Sequence, residues 1–241
     1  MKKHILSFFV LFFATVLLLS SLFRNAEQAL LSAISDAVTD AAPVIILDAG
    51  HGGADSGAVG VNGSMEKDLN LSLSKDLAAL LRLAGYTVIE TRTDDSMLGE
   101  AEAQKGHRKQ ADLEGRLAVT EQYPNGVLIS IHMNTFPTAD CEGVQVWYSQ
   151  NHAASKDWAT AVQEGVSRTL QPSNHRRIKA ATSGIYLLRH ARIPAILIEC
   201  GFLSTPEECE RLCDPLYRRQ LALVFFAAIT EKSSLSSCAR G

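Results

Sequence analysis

Two histidines and one glutamate of this chain have the types and positions that a metal site needs. His51 belongs to the run VIILDAGHGG, Glu66 follows fifteen residues later, and His132 closes the apolar run GVLISIH. Ligands in α/β sheets collect at the carboxyl ends of strands. If the three side chains meet there, they form a two-histidine, one-carboxylate zinc site with a position left for water. That arrangement is typical of catalytic rather than structural zinc.

Each of these residues also has an ordinary structural interpretation. His51 could be a loop histidine that bonds a turn, Glu66 a partner of a helix N-terminus, and His132 a hydrogen-bonded core histidine. Asp48 either anchors the second nitrogen of His51, as a metal-bound imidazole requires, or caps the turn through its own backbone. The joint placement of both histidines at strand ends favours the metal site.

Glu199 ends the apolar run PAILIE and is the candidate for acid–base chemistry. A buried carboxylate needs a partner. A water activated by the metal would be one, because a carboxylate can take its proton and pass it to a leaving nitrogen. The structural alternative is a salt bridge with Arg189 or Arg92. Asn134, Arg189 and His190 are the candidate substrate contacts.

Alternating strand and helix patterns predict an α/β fold that positions these residues. Short apolar runs predict buried strands, and apolar residues at helical spacing predict helices. We expect a single mixed, mostly parallel twisted sheet with helices on both faces. The predicted strands are Val44–Leu47, YTVIETR at 86–92, Val127–Ile131, GVQVWY at 143–148 and Ala195–Ile198; the predicted helices are Leu69–Leu83, ending at Gly85, part of a helix at Leu113–Glu121, Ser155–Leu170 and most of Pro206–Ile229. Residues 95–111 are expected to form an exposed loop near the site.

The composition fits one globular domain with an appendage. The chain has 241 residues, of which 46% are hydrophobic, and this excludes a disordered chain. A net charge of −3 gives no electrostatic case for nucleic-acid binding. The five cysteines show no C-x-x-C pattern for a structural zinc. Cys209 and Cys213 are predicted to be reduced, because their Cβ atoms would lie about 5–6 Å apart on an intact helix.

The N-terminus predicts export from the cytoplasm. Lys2 and Lys3 precede an uncharged apolar run from Ile5 to Phe23, which as a helix would span about 28 Å. Its length and the weak cleavage motifs favour an uncleaved signal-anchor over a removable signal sequence. The lysines place the remainder outside the cytoplasm, either membrane-anchored or secreted. The expected organisation is an anchor at 1–24, a tether at 25–42, a catalytic domain at 43–232 and a tail at 233–241.

Five segments in a fixed order carry a family resemblance. They are ILDAGHGG at 46–53, EKDLNL at 66–71, TRTDD at 91–95, SIHMN at 130–134 and PAILIECGFLST at 194–205. Together they resemble the zinc-dependent N-acetylmuramoyl-L-alanine amidases of the amidase-3 type. The resemblance implies that His51, Glu66 and His132 bind Zn²⁺ and that Glu199 is the catalytic carboxylate. The implied reaction is hydrolysis of the amide between the lactyl group of muramic acid and L-alanine in peptidoglycan.

One departure and two rival functions accompany this resemblance. The family commonly has asparagine where this chain has Thr205, but Thr-Pro-Glu-Glu still offers an N-cap, a proline at N1 and a glutamate at N3. A lone catalytic domain behind an anchor resembles the germination-specific amidases of spore cortex. The rivals are another zinc hydrolase, such as a carboxypeptidase or deacetylase, and a non-catalytic wall-binding protein. The sequence leaves open whether a partner protein gates the site or supplies zinc.

Overall fold

A six-stranded sheet forms the centre of the computed structural model, which describes residues 20–21, 24, 42–99, 108–138 and 141–238. The strands are β1 (Val44–Ala49), β2 (Val88–Glu90), β3 (Gly126–Asn134), β4 (Gln145–Tyr148), β5 (Lys179–Ala180) and β6 (Ala195–Phe202); the helices are α1 (Glu66–Leu83), α2 (Arg108–Glu121), α3 (Ala154–Thr169), α4 (Tyr186–His190), α5 (Pro206–Cys213) and α6 (Pro215–Cys238). The strand order is β2-β1-β3-β6-β4-β5. Only the β4–β6 pairing is antiparallel among these strands. The predicted mixed, mostly parallel sheet is confirmed.

Side chains alternate between the two faces of the sheet, and helices cover both. On one face, here called the α1 face, Ile45, Ile129 and Ile198 pack with residues of α1, α3 and α6. On the other, the α2 face, Ile46 and Leu128 pack with residues of α2 and α4. Asp48, Ser130, His132 and Glu199 have the same parity as the α2-face residues of their strands. The polar residues near the strand ends therefore share one face.

Several element boundaries differ from the sequence prediction. The first helix begins at Glu66 rather than Leu69, so Glu66 belongs to its first turn. Strand β3 continues to Asn134, and His132 lies inside it because Asn134 still pairs with Phe202. The last helical stretch divides at Asp214, which Pro215 follows as the first residue of α6. A proline there lacks the N–H that a continuing helix would need, but it is compatible with a helix start.

The end of α1 agrees with the prediction, whereas the polar loop after β2 is shorter than predicted. Gly85 has φ +86°, and the amides of Gly85 and Tyr86 bond the carbonyls of Arg82 and Leu81. These two bonds make a Schellman motif, so the predicted helix end is confirmed. The expected loop at 95–111 is shorter, because α2 begins at Arg108; residues 100–107 lie outside the described residues.

The predicted membrane segment also falls almost entirely outside the described residues. Of Ile5 to Phe23, only residues 20 and 21 are described. Among all described residues, no helix has both the length and the apolarity to cross a bilayer. The described cysteine side chains, Cys141, Cys200, Cys209 and Cys213, are all free thiols. Cys209 and Cys213 both lie on α5, the intact helix that the prediction of reduced thiols assumed.

Candidate active site

The turn after β1 holds His51 at the carboxyl edge of the sheet. His51 has φ +62°, a left-handed conformation that is uncommon for a residue with a side chain. Its carbonyl oxygen accepts a hydrogen bond from Arg116 Nη2 at 2.6 Å. The carbonyl of Ala49 accepts another from Arg116 Nη1 at 2.8 Å. The guanidinium of Arg116 thus holds the strained turn in place through the two carbonyl groups that flank Gly50.

Glu66 joins the two histidines that the sequence predicted as its neighbours. Its Oε2 lies 3.2 Å from His51 Nε2, and its Oε1 lies 2.9 Å from His132 Nδ1. The two imidazole rings are 5.0 Å apart, edge to face. One candidate ligand atom from each residue falls within 4.8 Å of the other two. The structure therefore brings all three predicted ligands together.

The carboxylate of Glu66 is fixed by backbone amides from outside its own helix. Ala58 N donates to Oε2 at 2.8 Å, and Met133 N donates to Oε1 at 3.0 Å. Burial favours the neutral acid, but the two imidazoles outweigh it and hold the pKa of Glu66 well below its usual range. Glu66 does lie in the first turn of α1, where a carboxylate favours the helix dipole, but these contacts go beyond that role. Its oxygens face the histidines and the two distant amides.

Asp55, which the sequence interpretation missed, orients His51. Its Oδ2 lies 2.9 Å from His51 Nδ1, and its Oδ1 accepts a hydrogen bond from Gly57 N at 3.1 Å. When Nδ1 donates its proton to a carboxylate, Nε2 carries the lone pair that a metal needs. The available signal was an aspartate four residues after the histidine in HGGAD.

Asp48 has neither of the roles proposed from the sequence. It is buried and bonds Arg116 Nη1 at 2.6 Å, Ser130 Oγ at 2.6 Å and Thr91 Oγ1 at 2.8 Å. Burial raises the pKa of Asp48, but the charge of Arg116 and the bond from Ser130 dominate and lower it to about 2. Its three partners come from α2, β3 and the end of β2, so Asp48 ties these elements together beneath the site.

Two glycines leave the space that the side chains of the candidate ligands occupy. A Cβ built on Gly50 would lie 2.2 Å from His132 Cε1. One built on Gly57, whose φ is +64°, would lie 2.6 Å from Glu66 Oε2 and 2.7 Å from His51 Cδ2. No side chain fits at either position without moving a ligand. The glycines of this loop therefore shape the site as well as the turn.

Glu199 stands beside this cluster on the neighbouring strand. Its Cα pairs with that of His132 across β3 and β6. Its Oε2 is buried and has no hydrogen-bond partner among the described residues. Burial raises the pKa of Glu199 to about 7. Arg92 does not form the alternative salt bridge, because its guanidinium bonds carbonyl oxygens, including those of Ala49 and Gly50.

Comparisons with known proteins decide which family this site belongs to. The sequence model of the N-acetylmuramoyl-L-alanine amidases of the amidase-3 type matches residues 45–231. The chain belongs to this amidase family. The resemblance inferred from five short segments is thus confirmed over most of the chain.

Individual relatives agree with this assignment. The germination-specific N-acetylmuramoyl-L-alanine amidase of Bacillus subtilis is 36% identical over 188 residues, which cover 77% of this chain and 78% of that relative. The CwlD amidase of Clostridioides difficile, solved in complex with the GerS lipoprotein, is 35% identical with a TM-score of 0.76, covering 80% and 99% of the two chains. The catalytic domain of CwlV from Bacillus (Paenibacillus) polymyxa has 29% identity and a TM-score of 0.66, covering 79% and 97%.

The candidate substrate contacts of this amidase lie at different edges of the sheet. Asn134 ends β3 just beyond His132, and its Oδ1 accepts a hydrogen bond from Thr135 N. Arg189 and His190 end α4, which precedes the amino end of β6, whereas Glu199 lies toward the carboxyl end. The Arg189 carbonyl accepts a 2.6 Å bond from Asn151 Nδ2. The structure groups Asn134 with the ligands and leaves Arg189 and His190 at the opposite edge.

Thr205 occupies the N-cap of α5 in this amidase, but its side chain does not cap the helix. Its hydroxyl donates to the Cys141 carbonyl instead. Glu208 at N3 also has another task, because its carboxylate accepts the amides of Gly143 and Phe202 at 2.8 and 2.7 Å. The expected capping role of Thr205 is wrong. Both side chains connect α5 to the carboxyl edge of the sheet.

Proposed function

We propose that this domain is a zinc-dependent amidase that hydrolyses the bond between the lactyl group of N-acetylmuramic acid and L-alanine in peptidoglycan. One observation carries the proposal beyond family membership. A buried carboxylate oxygen without a partner, Glu199 Oε2, lies on the strand next to a cluster of two imidazoles and a carboxylate. Core packing does not require that arrangement, whereas hydrolysis with an activated water uses each part.

The donor set fits a zinc ion. Two imidazole nitrogens and one carboxylate oxygen are common zinc ligands in hydrolases, and three protein ligands leave a position for water or substrate. Asp55 bonds the Nδ1 of His51 and so supplies the outer carboxylate that metal-binding histidines usually have. The glycines at positions 50 and 57 keep the cluster free of side-chain bulk. We therefore assign His51, Glu66 and His132 as the zinc ligands.

Each protein group has a definite task in this mechanism. A zinc ion held by His51, Glu66 and His132 would polarise the scissile carbonyl and would lower the pKa of a water molecule to about 7. Glu199 takes the proton of the attacking water and then delivers it to the leaving nitrogen of L-alanine. Asp55 holds His51 in the orientation and tautomer that ligation needs. Arg116 and Asp48 keep the turn before His51 in place.

The relatives support a more specific setting, which is also a proposal. The 36% identity to a germination-specific amidase suggests action on spore cortex outside the cytoplasmic membrane. The CwlD relative was solved with a lipoprotein, so we propose a protein partner for this chain too. Attachment through residues 5–23 stays a prediction.

A deletion strain tests the cortex role. Muropeptides from spores of that strain should keep stem peptides on the muramic acids that lose them in the parent. An unchanged muropeptide profile would refute the cortex role.

The test of the reaction is product mass after digestion of purified peptidoglycan by the purified full chain, with and without a chelator. An amidase releases intact stem peptides and bare glycan, and the chelator stops the release. Products shortened by one amino acid would indicate a carboxypeptidase, and loss of acetyl groups would indicate a deacetylase. Absence of both bound zinc and products would favour the wall-binding alternative.

Glu199→Gln tests the catalytic assignment. We expect zinc content to stay at the wild-type level while turnover falls by about 10²–10⁴-fold, the usual contribution of a general acid–base group. Glu231→Gln is the matched control, because Glu231 is 62% exposed on α6 and forms a surface ion pair with Arg168. Near-normal turnover in Glu199→Gln would refute the role of Glu199.

A further inference from the structure

Gln145 is the residue of β4 that lies directly beside Glu199. The two Cα atoms are partners in the antiparallel pairing of β4 with β6. Such partners project from the same face, with Cβ atoms about 5 Å apart. The next pair, Val146 and Ile198, packs on the α1 face. Gln145 and Glu199 therefore point together to the α2 face, where His132 lies on the other side of Glu199.

The amide nitrogen of Gln145 has a hydrogen-bond partner, whereas its amide oxygen has none among the described residues. Its Nε2 donates to the carbonyl oxygen of Arg177, which sets the orientation of the amide. Its Oε1 accepts no hydrogen bond from the described residues. The residue as a whole is only 2% exposed. Gln145 therefore carries an oriented acceptor on the residue that pairs with Glu199.

We propose that Gln145 binds the substrate by accepting, at Oε1, the N–H of the scissile amide. The inference rests on the proposed function. As water adds to the carbonyl, the amide nitrogen gains a lone pair that must point to Glu199 to receive a proton. A nitrogen whose N–H is held by the acceptor next to Glu199 has its lone pair directed toward that carboxylate. The N–H bond itself does not break, and Gln145 exchanges no proton.

The test compares two substrates that differ at this N–H. One is a synthetic muramoyl peptide, and the other carries L-lactic acid in place of L-alanine, so that an ester replaces the scissile amide. The assay is kcat/KM of the full chain for each substrate. In Gln145→Met the ratio of amide to ester kcat/KM should fall about tenfold, the usual effect of one hydrogen bond. Gln145→Glu keeps an acceptor but loses the Arg177 bond, and its ratio should stay within about threefold of wild type.

Gln163→Met is the matched control. Gln163 is also buried and also bonds β4, but from the α1 face, where both halves of its amide are paired with Val146 N and Val144 O. It should lower the Tm without changing the ratio. Zinc content should equal that of wild type in all variants. If Gln145→Met does not fold, Gln145→Ala gives the same comparison.

The outcomes separate this inference from the proposed function. A ratio that stays at the wild-type value in Gln145→Met overturns the role of Gln145, however far the absolute rates fall, while the amidase activity of wild type stands. An equal fall in Gln145→Glu and Gln145→Met would show that Gln145 only supports the Arg177 segment, and this also overturns it. A wild-type protein that cleaves neither substrate overturns both proposals.

Discussion

Replacing Gly50 by alanine should displace His132 from the proposed metal site. The added Cβ would lie 2.2, 2.3 and 2.7 Å from three atoms of the His132 ring, whereas ordinary contacts begin near 3.4 Å. The ring would have to move by 3.4 − 2.2, or about 1.2 Å, and ligand distances tolerate only about 0.2 Å. The backbone of Gly50 cannot yield instead, because its carbonyl is bonded by Arg92 and Asn70.

The consequence is a loss of zinc rather than a loss of fold. The φ of Gly50 is not in the left-handed region, so alanine adds no backbone strain there. We expect the zinc affinity to fall at least about 100-fold, the upper end of the effect of losing an outer-shell partner. Chelator competition measures the affinity, and peptide release from peptidoglycan should fall with it.

Gly184→Ala is the control for this substitution. A Cβ at Gly184 would find its nearest atom, Thr182 Oγ1, at an ordinary 3.8 Å. That variant should keep wild-type affinity and activity, and both variants should keep the circular dichroism of the parent. A Gly50→Ala protein that binds zinc within threefold of wild type and digests peptidoglycan normally would refute the steric reasoning.

Three further predictions follow from the supporting residues. Asp55→Asn should weaken zinc binding about 10–100-fold, as measured by chelator competition; unchanged affinity would exclude an orienting role. The folded-state pKa of Asp48 is lowered from 3.8 to about 2, so its stabilisation is present above pH 4 and lost as the pH falls toward 2. Urea unfolding should show about 2 kcal/mol more loss between pH 5 and pH 2 in wild type than in Asp48→Asn, and parallel pH profiles would contradict this. Arg189→Ala should leave the KM for peptidoglycan unchanged, because Arg189 lies at the edge of the sheet away from the candidate ligands. A raised KM would instead indicate that Arg189 contacts the substrate.

The candidate ligand cluster could be predicted from the sequence because most of the residues in and beside it follow recognisable local patterns. His51, His132 and Glu199 follow buried apolar runs, and such runs end at a common edge of a parallel sheet. Glu66 needed one more inference, that the glycine-rich loop returns to that edge. The structure confirms that Glu66 lies between both imidazoles.

The supporting residues could not be predicted because their roles depend on distant geometry. Arg116 lies 68 positions from Asp48, and only the packing of α2 against the sheet brings them to 2.6 Å. Asp55 reaches His51 because His51 adopts a positive φ, which no propensity favours for histidine. Gln145 meets Glu199 only if β4 runs antiparallel to β6 in one register, and a shift of one residue would turn it to the other face.

The reversed direction of β4 has an evolutionary consequence. Because β4 runs antiparallel to β6, the chain leaves β3 and enters β4 at the same edge of the sheet, where the ligands lie. The connection between Asn134 and Gln145 therefore begins and ends at that edge. Insertions and deletions in such surface connections leave the strand register unchanged. Changes of length in that connection therefore leave the proposed zinc ligands and Glu199 in place.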